Sequence, residues 1–249
     1  ALNPDGFTVG ISAVVNTNAV TYYWTAYGNA FNPDTNSGAA DFFIGAYYGS
    51  GIDNRNITRL PFQPDMVTVK RSGATGGAFR TSSHTGDSSS YFAATADTAN
   101  VMQTFSADGF QIGTTANVNT AANIYWYFGF KTGANFAVGT YSGTGASQNI
   151  TSVGFQPDNI WVKRTTAVRG VERTSSMAAD SAIPFINVGS ITAAITAIIS
   201  TGFTVDTATE TNASGGSYWY VTWKTNSTPT TPVYKVQTGT YVGSGTSKA

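Results

Sequence analysis

Two stretches of the chain alternate apolar and polar residues with the period of a β-strand, and both share the same lead-in. Pro61-Phe62-Gln63-Pro64-Asp65 runs into Met66-Val67-Thr68-Val69-Lys70-Arg71, and Gly154-Phe155-Gln156-Pro157-Asp158 runs into Asn159-Ile160-Trp161-Val162-Lys163-Arg164. Pro-Asp is a turn signal, and the alternation after it places Val67 and Val69, or Ile160 and Val162, on one face, with Thr68 and Lys70, or Trp161 and Lys163, on the other. Each stretch therefore predicts a strand with one buried face. A second pair of strands is aromatic: Tyr125-Trp126-Tyr127-Phe128-Gly129-Phe130-Lys131 and Tyr218-Trp219-Tyr220-Val221-Thr222-Trp223-Lys224. Alternation assigns Trp126, Phe128 and Phe130, or Trp219, Val221 and Trp223, to the core, since large rings bury ~150–250 Å2 each at ~25 cal/mol per Å2. Tyr125 and Tyr127, or Tyr218 and Tyr220, then point the other way, as half-exposed packing residues or as part of a binding surface, packing being the expectation. Ile191 to Ile199 is apolar without a clean period and is read as a strand.

These matches are parts of one internal duplication with an offset of ninety-three residues. The same offset carries Arg80-Thr81-Ser82-Ser83 onto Arg173-Thr174-Ser175-Ser176, Asp87-Ser88 onto Asp180-Ser181, Gly109-Phe110 onto Gly202-Phe203, and Asn119 onto Asn212. The predicted fold is all-β: two tandem antiparallel β-sandwich repeats, jelly-roll-like, with partial repeats at both ends. The first repeat spans 42–133 and the second 134–224. Residues 1–28 correspond to the end of a repeat, because Asp5-Gly6-Phe7 matches Asp108-Gly109-Phe110 and Tyr22-Tyr23-Trp24 matches Tyr125-Trp126-Tyr127. Residues 29–41 and the Pro/Thr-rich 225–233 read as linkers. Residues 234–249 begin a further repeat, since Gly239-Thr240-Tyr241-Val242-Gly243-Ser244-Gly245 matches the openings at Gly45 and Gly139. The glycines of those openings mark a bulge, a tight turn or a close approach of another backbone.

A strand without its domain exposes unpaired backbone groups, and a sandwich lacking a strand exposes an apolar slot. Two arrangements satisfy this. Either the chain is a window of a long tandem array, or subunits complement one another head to tail. In the second case Val236, Thr238, Thr240, Tyr241 and Val242 of the last strand, or Phe7 and Val9 of the N-terminal hairpin, add to a neighbour's sheet as polymerisation residues. The two terminal pieces together lack too much of a repeat to rebuild one unaided, so the expectation is that they dock onto complete repeats.

Charged residues make up 10% of the chain and the net charge is zero, so no basic field exists to hold nucleic acid or an anionic membrane surface. No apolar run is long enough for membrane insertion as a helix. There is no cysteine, which excludes thiol catalysis and thiolate metal sites, and the Ser/Thr/Gly/Asn-rich composition points to an extracellular or cell-surface protein.

Candidate chemistry is sparse. His84 is the single histidine and its counterpart is Met177, so an imidazole site is absent from the second copy, and a packed or surface histidine is expected. The two glutamates, Glu172 and Glu210, correspond to Phe79 and Asn117, so no paired-carboxylate mechanism repeats. The serines of Arg-Thr-Ser-Ser have no recurring histidine to serve as base. No catalytic residue, cofactor or metal site is assigned, and the chain is expected not to be an enzyme. Arg80 with Asp87, and Arg173 with Asp180, recur together and read as structural ion pairs or hydrogen-bonded corners. Asp65 and Asp158 are expected to cap a turn through their own backbone. Asp53, Asn54 and Asn56 make a weak calcium pattern that the second copy lacks. Lys70 or Lys163 with Asn119 or Asn212 raises an isopeptide bond, with no neighbouring acid identified. Glycosylation sequons stand at Asn56, Asn149, Asn212 and Asn226.

The elements Gly-Thr-Tyr-x-Gly-x-Gly, Gly-Phe-Gln-Pro-Asp, Arg-Thr-Ser-Ser-x-x-x-Asp-Ser, Asp-Gly-Phe-x-x-Gly and Tyr-Trp-Tyr resemble a class of tandem β-sandwich repeats of secreted prokaryotic surface proteins and phage tail-associated proteins. The resemblance covers nearly the whole chain, and the second copy departs from it at Thr201 and Asp206. It implies a structural or adhesive role. The expected function is a structural subunit of an extracellular or cell-surface filament, partnering itself as a homopolymer. The alternative is an adhesive module gripping surface glycans through exposed aromatics such as Trp161 and Tyr241.

Overall fold

The duplication is reproduced in the computed structural model, which describes residues 2–3, 6–28, 41–225 and 235–247, with every strand of the first repeat but the short Thr98–Ala99 matched in the second. The N-terminal piece holds β1 (Leu2–Asn3), β2 (Gly6–Phe7), α1 (Ala13–Asn16) and β3 (Thr21–Gly28). The first repeat runs through β4 (Phe42–Tyr48), β5 (Arg55–Thr58), β6 (Met66–Arg71), β7 (Ala78–Thr81), β8 (Ser88–Tyr91), β9 (Thr98–Ala99), β10 (Met102–Ser106), β11 (Gly109–Ile112) and β12 (Ile124–Phe130). The second runs through β13 (Phe136–Ser142), β14 (Gln148–Ile150), β15 (Asn159–Arg164), β16 (Val171–Thr174), β17 (Ile183–Pro184), β18 (Ile195–Ile199), β19 (Gly202–Val205), α2 (Thr209–Asn212) and β20 (Ser217–Trp223). A last strand, β21, spans Lys235–Val242. The apolar stretch without clean period, read as a strand over Ile191 to Ile199, is strand only over its last five residues, β18, paired with β19.

Each repeat is a sandwich of a large and a small antiparallel sheet. The large sheets have the orders β4-β12-β6-β7-β8-β9 and β13-β20-β15-β16-β17, and the small ones β10-β11-β5 and β14-β19-β18. The aromatic strand is therefore interior in both: β12 lies between β4 and β6, and β20 between β13 and β15. Asp65 and Asp158 fix this arrangement. Rather than capping their own turns, they reach across it, each accepting hydrogen bonds from the backbone N–H and the hydroxyl of the threonine just past the aromatic strand, Thr132 or Thr225, all at 2.8 Å.

The alternation of the aromatic strands has the opposite sense to the one expected. Tyr125, Tyr127, Tyr218 and Tyr220 form the sandwich cores with Phe110 and Phe203 of the small sheets. The tryptophan and phenylalanine face points away from the small sheet. Likewise Met66 to Val69 and Asn159 to Lys163 are buried on both faces, not one. The physical reason is that the outer faces of the large sheets pack on one another, so little of either face meets water. Period-2 patterning separates the two faces of a strand but does not say which is inner when both are covered.

The paired openings explain their glycines. Gly45, Gly139 and Gly239 stand directly opposite Tyr127, Tyr220 and Trp24, and a Cβ there would lie 2.4–2.6 Å from those rings. Two residues later Tyr47, Tyr141 and Tyr241 stack on Tyr125, Tyr218 and Tyr22 with ring centroids 5.0–5.2 Å apart. Gly49, Gly143 and Gly243 each press against a carbonyl oxygen at 2.0–2.2 Å from a would-be Cβ, which is the close backbone approach anticipated from the sequence.

The outer faces meet at a central junction. Its six innermost positions are equivalent by repeat: Phe42 with Phe130, Phe136 with Trp223, and Val236 with Tyr27, each a directly opposed cross-strand pair. Phe130 contacts Phe136 at 4.9 Å and Trp223 at 5.6 Å between centroids, and Tyr27 contacts Phe130 at 5.4 Å and Trp223 at 5.2 Å. Three modules therefore share one aromatic centre.

Candidate functional site

The third module is made by the two ends of the chain. β21 pairs antiparallel with β3 from Lys235↔Gly28 to Val242↔Thr21. The terminal pieces thus pair with each other, a partnership the sequence reading had not named, and the pair packs on both complete repeats at the junction. They do so because they carry the same local chemistry as the complete repeats. Asn119, fully buried, donates through Nδ2 to the Ile52 and Gly113 carbonyls and accepts from the Ser50 amide, clasping the Gly-x-Gly turn. Asn212 clasps Thr144 and Ala146, and Asn16 clasps Ser244, Thr246 and Gly10, in the same way. The Tyr125, Tyr218 and Tyr22 hydroxyls donate to the carbonyls of Ala116, Thr209 and Ala13, each nine residues before the tyrosine. Phe7, equivalent to Phe110, covers Trp24 and Tyr241 at 5.7 and 6.2 Å.

What this module lacks is equally specific. β3 is equivalent to β12 and β20, which are each flanked on both sides, yet β3 pairs with β21 alone among the described residues. The unoccupied edge is the one that β6 and β15, the Gln-Pro-Asp-led strands, fill in the repeats. β2, equivalent to β11, pairs with β1 and, among the described residues, with no counterpart of β5. β3 carries neither charge nor proline, the usual guards of an open edge.

The residues expected to act in polymerisation all belong to this module. Val236 is buried at the junction, Thr238 and Thr240 oppose Thr25 and Tyr23, Tyr241 stacks on Tyr22 and donates to the Val15 carbonyl, and Val242 opposes Thr21. The Val9 carbonyl accepts from the Ser247 hydroxyl at 3.4 Å. One edge of the last strand is thus occupied within its own chain, and of the two outer edges of this pair it is that of β3 which a further strand covers in the repeats.

Between the two repeats lies a buried polar relay. The Thr81 amide donates to His84 Nδ1 at 3.1 Å, which leaves the proton on Nε2, and Nε2 donates to Ser90 Oγ at 3.0 Å. Ser90 in turn donates to Asp97 Oδ1 at 2.5 Å, while Trp219 Nε1 donates to Asp97 Oδ2 at 2.6 Å. His84 also stacks on Trp219 at 4.1 Å. This arrangement does not activate the serine, since the imidazole donates to the hydroxyl rather than accepting from it. It joins the repeats. Beside it a cleft of about 280 Å3 opens between Ser83 and Thr85 of one repeat and Ser142, Thr165, Ser217 and Trp219 of the other.

Burial, and secondarily the positive charges of Arg80 and Lys163, push the His84 pKa down to about 3, against a hydrogen bond from Thr81. The unfolded chain then takes up a proton below about pH 6.5 that the native chain refuses, so this group's contribution is complete above 6.5 and is lost as pH falls toward 3. Asp97 and Glu172, both raised by burial, act with the opposite sign as pH rises through the acid range. The second repeat already shows what replaces the histidine: Met177 Sδ accepts from the Thr174 amide at 3.4 Å. Replacing His84 by methionine is expected to lower stability by about 1 kcal/mol at pH 7 and to remove a loss on the order of 2–3 kcal/mol between pH 6.5 and 4. Urea unfolding at the two pH values checks this: the variant is the less stable protein at pH 7 and the more stable one at pH 4.

Other expectations fare variously. Arg80 and Arg173 do not pair with Asp87 and Asp180. Arg80 donates to the Ser88, Met102 and Gly86 carbonyls, and Arg173 to those of Ser181 and Ile195. The aspartates instead accept from the Asn100 and Ala193 amides. The motif is a hydrogen-bonded corner, because a planar guanidinium satisfies several buried carbonyls at once. The lysines and asparagines proposed for an isopeptide bond are apart: Lys70 and Lys163 donate to the carbonyls of the following turns, and Asn119 and Asn212 are enclosed by the Gly-x-Gly clasps. Asp53 Oδ1 accepts from Asn54 and Gln103. Of the sequons, Asn56 and Asn149 are exposed, Asn212 is fully buried as a clasp, and Asn226 falls outside the described residues. Trp161 is enclosed between Phe92, Phe185 and Trp223 and donates to Glu172 at 3.2 Å, so it is not a surface aromatic. Trp126 is, at 55% exposure. Nothing in the residue pattern distinguished the two.

Fold and site together define a tandem-repeat β-sandwich protein with two complete modules and one incomplete module assembled from its ends. Residues 131–233, essentially the second repeat with the segment after it, match a domain family of unknown function, DUF7483. Neither the curated proteins nor the solved structures contain a match.

Proposed function

We propose that the protein is a structural subunit of an extracellular or cell-surface filament, joined to its neighbours by completing a β-sheet. The observation that carries this is the open edge of β3, eight residues long, aromatic and unguarded, at the position where both repeats have a further strand. Backbone groups on such an edge recruit another strand, and the apolar contacts around it set the register. The open edge, rather than the last strand, is the joining surface in this reading. An adhesive role in binding glycans loses Trp161, keeps the half-buried Tyr241, and gains Trp126 as an exposed aromatic.

Electron microscopy of native material with mass spectrometry of the intact chain tests the proposal. Filaments built from chains of 26.1 kDa are the expected result. Filaments of a much heavier chain place the repeats in a continuous array. Compact, monodisperse particles contradict the proposal and favour the glycan-binding module.

A further inference from the structure

The cleft beside the His84 relay has walls that the packing of the repeats does not account for. Its floor is the outer face of β13 and β20, where Thr140 stands opposite Trp219 and Ser142 opposite Ser217, with Thr165 just past β15 alongside. Its roof is the turn after β7, which carries Ser83 and Thr85 on either side of the histidine that stacks on Trp219. At the equivalent positions the first repeat has Ala46 opposite Trp126 and Tyr48 opposite Ile124. There the face is open, with Trp126 55% and Tyr48 67% exposed. The apolar version of the face thus lies uncovered, while the version overhung by a neighbouring repeat carries threonine and serine. Packing alone favours the reverse, since apolar side chains gain most where a neighbour covers them.

Among the described residues, the six hydroxyls of Ser83, Thr85, Thr140, Ser142, Thr165 and Ser217 make no hydrogen bond within the chain. No charged side chain among the described residues lines the cleft. The walls are fixed by other groups. The Asp97 amide donates to the Thr165 carbonyl at 2.8 Å, the Thr165 amide donates to the Ser217 carbonyl at 3.0 Å, and Asp97 Oδ2 holds Trp219. A hydroxyl both donates and accepts, so hydroxyls gathered around a preformed neutral space of about 280 Å3 suit a ligand whose own groups do the same. Ligand pockets commonly measure ~300–1,000 Å3, so the room is for one ring rather than a chain of them.

We propose that this cleft is a binding site for a single neutral sugar ring, with hydroxyls of both repeats bonding those of the sugar and Trp219 supplying an apolar wall. The site is separate from the open edge of β3 and does not depend on the filament reading.

An NMR titration of the full chain with the methyl glycosides of glucose, galactose, mannose and N-acetylglucosamine tests this. At least one is expected to bind with a dissociation constant on the order of 1–10 mM, as a ligand of so few atoms does, and to shift the amides of residues 83–85, 140–142, 165 and 217–219. Affinity is expected to change less than ~2-fold between ~20 and ~500 mM salt, because no charge takes part. Ser142→Tyr and Ser217→Ile give the second repeat the residues that the first carries at Tyr48 and Ile124, and each is expected to weaken binding at least ~10-fold by filling the cleft. Ser217→Ala, which leaves the cleft open, is expected to weaken it about 2–10-fold, the worth of one hydrogen bond. Urea unfolding of each variant verifies that the fold is kept. Shifts centred on Tyr48 and Trp126 would place sugar recognition on the exposed aromatics and overturn this site. So would the absence of any response at ~100 mM of all four glycosides, or a response that Ser217→Ile leaves intact.

Discussion

Replacing Trp223 by alanine is expected to destabilise the chain by about 3–5 kcal/mol, the usual range for emptying a buried aromatic site. Trp223 is fully enclosed, in ring contact with Trp161 at 4.7 Å, Tyr27 at 5.2 Å, Phe136 at 5.4 Å and Phe130 at 5.6 Å. These partners belong to all three modules, so the effect is not confined to the repeat that carries the residue. In a string of independent repeats, loss of a core residue in one leaves the next untouched, and stability is a sum over units and nearest-neighbour interfaces. Around a shared centre, the cavity also withdraws support from β3 and from Phe130. Hydrogen exchange checks the distinction: in the Trp223→Ala protein, protection falls in β12 and in the β3–β21 pair as well as in β20. Loss limited to the second repeat contradicts the shared centre.

Replacing Asn212 by alanine is expected to cost roughly 2–4 kcal/mol, since it removes from a fully buried side chain three hydrogen bonds at about 0.5–1.5 kcal/mol each. Asn212 accepts from the Thr144 amide at 2.8 Å and from Gln148 Nε2 at 2.9 Å, and donates to the Ala146 carbonyl at 2.6 Å. It thereby holds the turn that leads from the opening strand into β14, and it does so across some seventy residues of chain, tying the end of the repeat to its beginning. The equivalent change at Asn16 strips the clasp from the incomplete module only, where the Ser244 amide and Thr246 carbonyl are the partners. Thermal unfolding checks both: the Asn212→Ala protein loses roughly 5–15 °C in midpoint at 2–4 °C per kcal/mol, and the Asn16→Ala protein keeps the main transition while exchange at residues 235–242 rises.

The duplication and the strand class were legible because they rest on identity at a fixed offset and on period-2 alternation, both local properties. The glycine openings left a bulge, a tight turn and a close backbone approach open, and the last holds for Gly49, Gly143 and Gly243, while Gly45, Gly139 and Gly239 make room for a ring. The sense of the aromatic faces was not legible. Tyr125 and Trp126 are adjacent, apolar and large, and only the arrangement of whole sheets decides that the tyrosine is inside the sandwich while the tryptophan lies on the outer face, exposed. The clasp asparagines carried a signal that was misassigned. Asn119, Asn212 and Asn16 recur at both offsets, yet Asn212 lies in a sequon, and a buried amide and a glycosylated one look alike in sequence. The Arg80 corner was half read: the recurrence with Asp87 was real, but the partners are carbonyls, which sequence does not display. The His84 relay was out of reach because Asp97 and Trp219, which complete it, belong to different repeats. The pairing of the chain's ends was implied by residues each of which had been noticed, Asn16 and Tyr22 on one side and Gly239 to Gly245 on the other. It was missed because the missing middle suggested that the fragments had no fold of their own, whereas the clasp, the tyrosine pair and the junction need none of that middle.

The central claim is that the two ends of one chain form a third module with an open edge. A double replacement, Tyr23→Cys with Thr240→Cys, tests it directly, because the positions are directly opposed across β3 and β21 and the natural chain has no cysteine to compete. Opposed residues of antiparallel strands lie within the reach of a disulfide. Oxidation of the dilute protein is predicted to yield one intramolecular bridge, in a species of unchanged mass on non-reducing electrophoresis that migrates faster than its reduced form. Disulfide-linked multimers, or thiols that stay free, would mean that the last strand belongs to another molecule or to no sheet at all, and would contradict the account.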